Sequence, residues 1–377
     1  MLKVLIGGDF CSRGRIHNII ESGNYKDIFG NVNEYTSQVD YSIVNLEAPI
    51  VETEICPIEK CGPNLRCSSN VISSLKYAGF DMVTLANNHI CDFGEMGLRD
   101  TIRVCRENNV DFVGAGINLA EAATTFYKKI KGKILAVINC CEHEFSIAKD
   151  TIGGCNPLNP VQQYYAIREA KKKSDYVLVI IHGGHEHFQL PSPRMKETYR
   201  FFVDAGADAV INHHQHCYSG YEVYKGKPIF YGIGNFCFDI APTRKNSMWN
   251  YGFLVEVDLD EEVNFRIFPY NQCSENPTIE FVDNFAFNSR LQELNGIIVD
   301  NAKLNKYTEE YYASVAVTLL DMFQPYEHRI LNKLYRMKIL PSMISKRKLL
   351  KLYNYINCES HRDKLLYAFS KVVNRNS

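Results

Sequence analysis

Short apolar runs alternate with helical patterns over most of the chain. Runs rich in Val, Ile and Leu read as strands at residues 3–9 ("KVLIGGD"), 41–47 ("YSIVNLE"), 81–88 ("DMVTLANN"), 111–116 ("DFVGAG") and 133–140 ("KILAVINC"). Further strands are expected at 175–184 ("DYVLVIIHGG"), 208–214 ("DAVINHH") and 227–236 ("KPIFYGIGNF"). Between several of them lie amphipathic helical segments at 70–79, 95–109 and 194–206. Strands of this composition joined through helices predict an α/β layered fold with a buried sheet. From about Tyr251 the chain reads "FLVEVDLDEEVNFRIFPY", alternating apolar and polar residues about a turn, which predicts a hairpin with one solvated face. Beyond about Asn288 strand signals give way to long helical patterns.

Composition narrows this picture. A chain of 377 residues with 46% hydrophobic content buries at least one full core, as two domains or as one large α/β domain with an extension. The expected division is 1–285 for the α/β domain and 286–377 for a basic helical extension. A net charge of −1 gives no whole-protein bias toward nucleic acid. The N-terminus enters a strand-like run directly, without the basic, apolar and cleavage regions of a signal peptide. No apolar stretch approaches the roughly 20 residues of a membrane span. Thirteen scattered cysteines then fit free thiols in a reducing cytoplasm, the expected location. "CPIEKCGPNLRC" lacks the CxxC spacing of a structural zinc site. From Pro325 onward twelve Lys/Arg stand against three Asp/Glu. The charges are interleaved, so a solvated helical cap is the plain reading, and an anionic partner or membrane surface is the functional one.

The chemistry gathers where strands end. Asp9 closes the first strand, and Asn45 and Glu47 the second; Asn87, Asn88, His89 and Asp92 follow the third. His182, His185, Glu186 and His187 follow a later strand, and "INHHQH" (211–216) follows the next. The carboxyl ends of strands in an open α/β sheet line one crevice, where ligands bind. Carboxylate, carboxamide and imidazole together are the donor set of Mn²⁺, Fe or Zn²⁺. On a strand, residues i and i+2 share a side, so His214 and His216 are expected to reach one ion while His213 faces away. Any one of these histidines alone is more ordinarily a structural residue; the convergence of five clusters favours a metal.

The ordered motifs "GGDF", "NLEAPIVE", "LANNHICDFGEMGL", "VGAGINLAEA", "IHGGHEH", "DAGADAVINHHQH" and "IFYGIGNFCFD" resemble the CapA-like family over roughly residues 1–240. That family is named for poly-γ-glutamate capsule synthesis and is similar to calcineurin-like metallophosphoesterases. The resemblance implies a four-layer αββα sandwich with metal ligands in the loops after the strands. It assigns Asp9 as the first-motif aspartate, Glu47 as the bridging carboxylate, and Asn88, His182, His214 and His216 as further ligands of one or two divalent ions (Mn, Zn or Fe). It aims His89 at the scissile group. Two departures follow: Cys11 stands where the phosphoesterases usually carry a histidine, and Glu47 is one methylene longer than the usual aspartate.

Metal ions would acidify a bound water and clamp phosphoryl oxygens. His89 is then the expected proton donor to the leaving group, with Asp92 near enough to orient it. Lys60 and Arg66, in the turn "KCGPNLR", are candidates to hold a substrate anion, the alternative being an ordinary surface turn. Glu186, His185 and Asn235 are grouped with them on the substrate side. The expected function is a metal-dependent, phosphoesterase-like hydrolase of a phosphorylated or amide-bearing intermediate in capsule or cell-surface polymer synthesis. Its expected partner is an anionic small molecule, peptide or polymer rather than nucleic acid, with peripheral membrane contact through the C-terminal helices. Two alternatives stand beside it: a metal-dependent peptide epimerase on the same scaffold, and a non-catalytic accessory that binds capsule polymer.

Overall fold

The computed structural model describes residues 1–243, 247–283, 285–321, 323–326 and 328–373. It forms two compact units, Met1–Asn305 and Lys306–Ser377. The first unit holds two large sheets. In one, Leu2–Cys11, Tyr41–Leu46, Met82–Thr84 and Asp111–Val113 run parallel in that order, and the hairpin of Tyr251–Leu259 and Asn264–Gln272 extends the other edge. In the second, Lys133–Cys141, Tyr176–His182, Ala209–His213 and Lys227–Phe230 run parallel. Parallel pairing brings the carboxyl ends of each sheet's strands to one side, which is what a shared crevice requires.

Alternation along the strands sets the layers, because successive side chains leave opposite faces. Leu5, Val44 and Val83 pack with Ile72 and Leu75 of helix Asn70–Tyr77 and Leu98 and Ile102 of helix Gly94–Glu107. Their neighbours Val4, Ile6, Ile43 and Met82 turn to the opposite core, which contains Val137, Val179 and Val210 of the second sheet. Helices Pro160–Lys173 and Pro193–Ala205 join that core through Ile167, Tyr199 and Phe202. Helix, sheet, sheet and helix are thus stacked as an αββα sandwich. Helix Phe285–Val299 buries Phe287, Leu291, Leu294 and Ile298 in the same core, so the first unit runs on past residue 285. The second unit contains helices Arg329–Arg336, Lys346–Asn357 and Glu359–Val373. Residues 327 and 374–377 of the basic stretch lie outside the described residues.

The run 227–236, expected as one strand, is two. Lys227–Phe230 belongs to the second sheet and Asn235–Phe238 pairs with the first strand of the other, so the chain crosses between sheets at residues 231–234. An unbroken apolar run carries no mark of which sheet each half joins. The glycines do mark the crossing: Gly234 has φ 78°, and its carbonyl accepts the Asp9 N–H at 3.3 Å. A Cβ on Gly8 would sit 1.9 Å from that carbonyl oxygen. The segment 111–116 is likewise interrupted, at Gly114 (φ 95°).

Gly8→Ala therefore forces backbone apart beside Asp9 and should cost about 1–3 kcal/mol of stability in urea unfolding. Gly296→Ala, where a new Cβ meets nothing within 4 Å, serves as the control and should lose none. Equal midpoints for Gly8→Ala and the wild type would refute the close approach.

Candidate metal centre

Asp9 lies at the end of the first strand, next to register shifts toward both neighbouring strands. Its carboxylate is fully buried and held on both sides: Asn45 Nδ2 donates to Oδ1 at 2.7 Å and the His214 N–H donates to Oδ2 at 3.0 Å. Burial raises its pKa to about 7, against the lowering effect of those two donors. Asn45 is itself fixed by Thr84, whose hydroxyl donates to its Oδ1 at 3.1 Å. Cys11 faces the helix-side core, where its thiol is raised by a hydrogen bond with Cys67 and by burial. Cys11 is not among the groups placed to hold a cation.

Glu47 is the centre of the arrangement. It is fully buried, and among the described residues neither carboxylate oxygen has a hydrogen-bond partner. Nε2 of His182 and Nε2 of His216 both stand 3.6 Å from Oε1. Burial, then the charges of Asp9, Glu186, Glu144 and Asp92, push its pKa well above the usual range. On one side, His182 Nε2 lies 3.0 Å from Asn88 Oδ1 and 3.1 Å from His214 Nδ1. On the other, His216 Nδ1 meets Asn235 Oδ1 at 2.9 Å, which fixes the ring and leaves Nε2 toward Glu47. Two trios result, Glu47–His182–His214 and Asp9–Glu47–His216, each with ligand atoms within 4.8 Å of one another. They share Glu47.

The route by which His214 and His216 arrive differs from the sequence expectation. The strand ends at His213, so the same-side rule for i and i+2 does not apply. Both residues instead adopt left-handed backbone, φ 86° and 54°, which turns the chain sharply at each. Such conformations cost on the order of 1–3 kcal/mol and persist where surrounding structure imposes them. His213 does face away from both trios: its Nε2 meets the Gly7 carbonyl at 3.1 Å and ties the two sheets together. Burial lowers its pKa to about 4, so it is neutral.

His89 and Asp92 form a buried pair, with Nδ1 and Oδ2 2.6 Å apart. Asp92 also accepts the Leu65 N–H at 2.6 Å and is ion-paired with Lys60, whose ammonium lies 3.2 Å from His89 Nδ1. The Lys60 side chain is 2% exposed and spent on this pair, so it anchors the loop 52–66 rather than standing free for a substrate anion. Arg66 is exposed on the same loop. Asn235 is fully buried, with its amide donating to the carbonyls of His216 and Trp249; it backs His216 and does not line the crevice. Glu186 is exposed and His185 half-buried, beyond the ligand trios.

Sequence reasoning passed over Glu142 and Glu144, although both follow a strand, Lys133–Cys141, as the other clusters do. Glu144 accepts from Asn88 Nδ2 at 2.9 Å, which turns Asn88 Oδ1 toward His182. Trp249 was also missed; its ring lies 4.7 Å from that of His216, and no local motif announces it.

The donor set fits a divalent cation. Burial depresses the pKa values of His182, His214 and His216, leaving neutral imidazoles with free electron pairs. Glu47 carries two orphaned oxygens at full burial, and a cation there would hold both carboxylates ionised. Asp9, Glu47, Asn88, His182, His214 and His216 are the residues placed to hold it.

Comparison with known proteins places this geometry in a family. The chain is 32% identical over 251 residues to the capsule biosynthesis protein CapA of Bacillus anthracis, covering 64% of this chain and 61% of that protein. It is 32% identical over 248 residues to the PGA biosynthesis protein CapA of Bacillus subtilis strain 168, covering 65% of each. The match thus spans less than two-thirds of these relatives' lengths. Among solved structures, a novel phosphatase of Mycoplasma pneumoniae aligns with 76% of this chain and 98% of its own, at 17% identity and a TM-score of 0.46. The model described as bacterial capsule synthesis protein PGA_cap matches residues 3–240, more than half of the chain, and the protein belongs to that family.

Proposed function

We propose that this protein is a divalent-metal-dependent hydrolase acting on an intermediate of capsule or cell-surface polymer synthesis. The observation that carries the reading is Glu47: a fully buried carboxylate, bonded to no donor among the described residues, on which three imidazoles and Asp9 converge. When bound, a divalent ion supplies Lewis-acid polarisation and a water of lowered pKa. The chain's own residues do the rest. Asp92 fixes His89 through Nδ1, which leaves Nε2 to carry a proton to the leaving group. Lys60 pairs with Asp92 and so fixes the carboxylate that holds the ring.

The substrate class follows from the rim. Glu144 is bonded to Asn88 with its side chain 38% exposed, and Glu142 is paired with Arg194. Glu186 is exposed beside them. With Glu142 paired to Arg194, the rim's negative charge rests on Glu144 and Glu186, which disfavours a dianionic phosphomonoester relative to a less charged substrate. It supports a phosphodiester or an amide-bearing peptide intermediate instead.

Three measurements test this. Metal-stripped protein titrated with Mn²⁺ should change the fluorescence of Trp249, the only tryptophan, through the adjacent His216. Asn235→Ala should weaken Mn²⁺ about 10–100-fold, and Glu47→Gln more. Purified protein that holds no metal and gives no such response would sink the proposal. His89→Ala should lower kcat about 10²–10⁴-fold with metal content unchanged; hydrolysis of none of the candidate esters or amides, with deuterium entering a peptide α-carbon instead, would favour the epimerase. Lys60→Met strands a buried charge and should cost about 3–5 kcal/mol of stability, whereas Arg66→Met should cost almost nothing; equal losses would show that Lys60 is not the anchor.

A further inference from the structure

We infer that the helices of the second unit form a docking surface for an anionic lipid bilayer. At about 3.6 residues per turn, helix Lys346–Asn357 puts Leu349, Leu352, Tyr353 and Ile356 on one side and Arg347, Lys348 and Lys351 on the other. Leu350 borders the apolar side. Helix Arg329–Arg336 divides in the same way, with Ile330, Leu331, Leu334 and Tyr335 opposite Arg329 and Lys333; Arg336 lies on that basic side too, ion-paired with Asp321 at 2.6 Å. Much of this apolar surface is in solvent: Tyr353 is 68% exposed, Ile330 63% and Leu350 60%, Leu366, Tyr367 and Phe369 of the last helix are each more than half exposed, and Leu334, Tyr335 and Leu352 are half-buried.

Exposed apolar arcs flanked by basic residues are the pattern of a helix lying in the plane of a membrane interface. The acyl boundary takes the apolar arc and anionic headgroups take the Lys and Arg ends, which snorkel. Other occupants satisfy only half of the surface. A nucleic acid or a soluble polyanion pairs with the charges and leaves leucine and tyrosine in water. A second copy brings the same excess of twelve basic over three acidic residues from Pro325 onward and is repelled. Among the described residues no helix is long and apolar enough to cross a membrane, so the contact is one of lying on the surface. The surface is separate in sequence from every residue of the metal centre.

The test is flotation of the full-length protein with phosphatidylcholine vesicles, with or without roughly one-third phosphatidylglycerol. The protein should float with the anionic vesicles and not with the neutral ones. Each basic residue at an anionic surface strengthens binding about fivefold, so Lys348→Glu with Lys351→Glu should weaken binding at least about 25-fold. Leu350→Ser with Tyr353→Ser, both at exposed positions, should weaken it about tenfold or more with metal content unchanged. No flotation, or flotation that neither double variant reduces, overturns the proposal. So does binding of soluble poly-glutamate that the Leu350/Tyr353 variant retains in full, which would mark a polyanion site. Concentration-dependent self-association abolished by that same variant would assign the face to a second copy and overturn it too.

Discussion

A carboxylate removed from water without a hydrogen-bond donor is among the most unfavourable groups a protein interior can carry, and Glu47 is such a group. Its neighbours include donors enough to quiet it, yet each is engaged elsewhere. Asn45 donates to Asp9, Asn88 to Glu144, and Asn235 to two carbonyls. His216 has its Nδ1 against Asn235. The surrounding polar network is satisfied in a way that deliberately leaves one point of negative charge unmet, and the parallel ends of two sheets are what bring that network together. The strained backbone of His214 and His216 belongs to the same account: it is tolerated because the turn delivers both rings to Glu47.

Much of this was legible in the sequence because two rules act locally. Val/Ile/Leu runs mark buried parallel strands, and polar residues at their ends mark the crevice. Strand-end positions mark the clusters that contain Asp9, Glu47, Asn88, His182, His214 and His216, the family resemblance picks these six from them, and the structure brings the six together. What the sequence hides is non-local. Nothing in "KPIFYGIGNF" says that its two halves enter different sheets, since apolar periodicity records burial and not partners. Nothing near Lys60 says that its charge is cancelled by Asp92, thirty-two residues away. Asn235 reads as a crevice residue because it follows glycines, whereas its register beside Asp9 puts it underneath His216. Glu144 was the avoidable omission, as it obeys the strand-end rule in full.

The two units differ in how they treat apolar surface. The first buries it between and outside its sheets, down to the helix Phe285–Val299. The second leaves leucines and tyrosines outside on helices whose opposite sides are basic. The family model matches residues 3–240, which hold all six candidate ligands, and the helices of the second unit lie beyond that match.

The crossing at residues 231–234 has a mechanical meaning. One short segment supplies a strand to each sheet, and the His213–Gly7 contact adds a second stitch at the same end. Candidate ligands drawn from opposite sheets are thereby tied together at the end where they meet. The exposed positions of the rim lie in the loops at 52–66, 142–146 and 183–188. Within them Lys60 and Glu144 are held by their bonds to Asp92 and Asn88, so only the exposed positions around them vary without disturbing the candidate ligands.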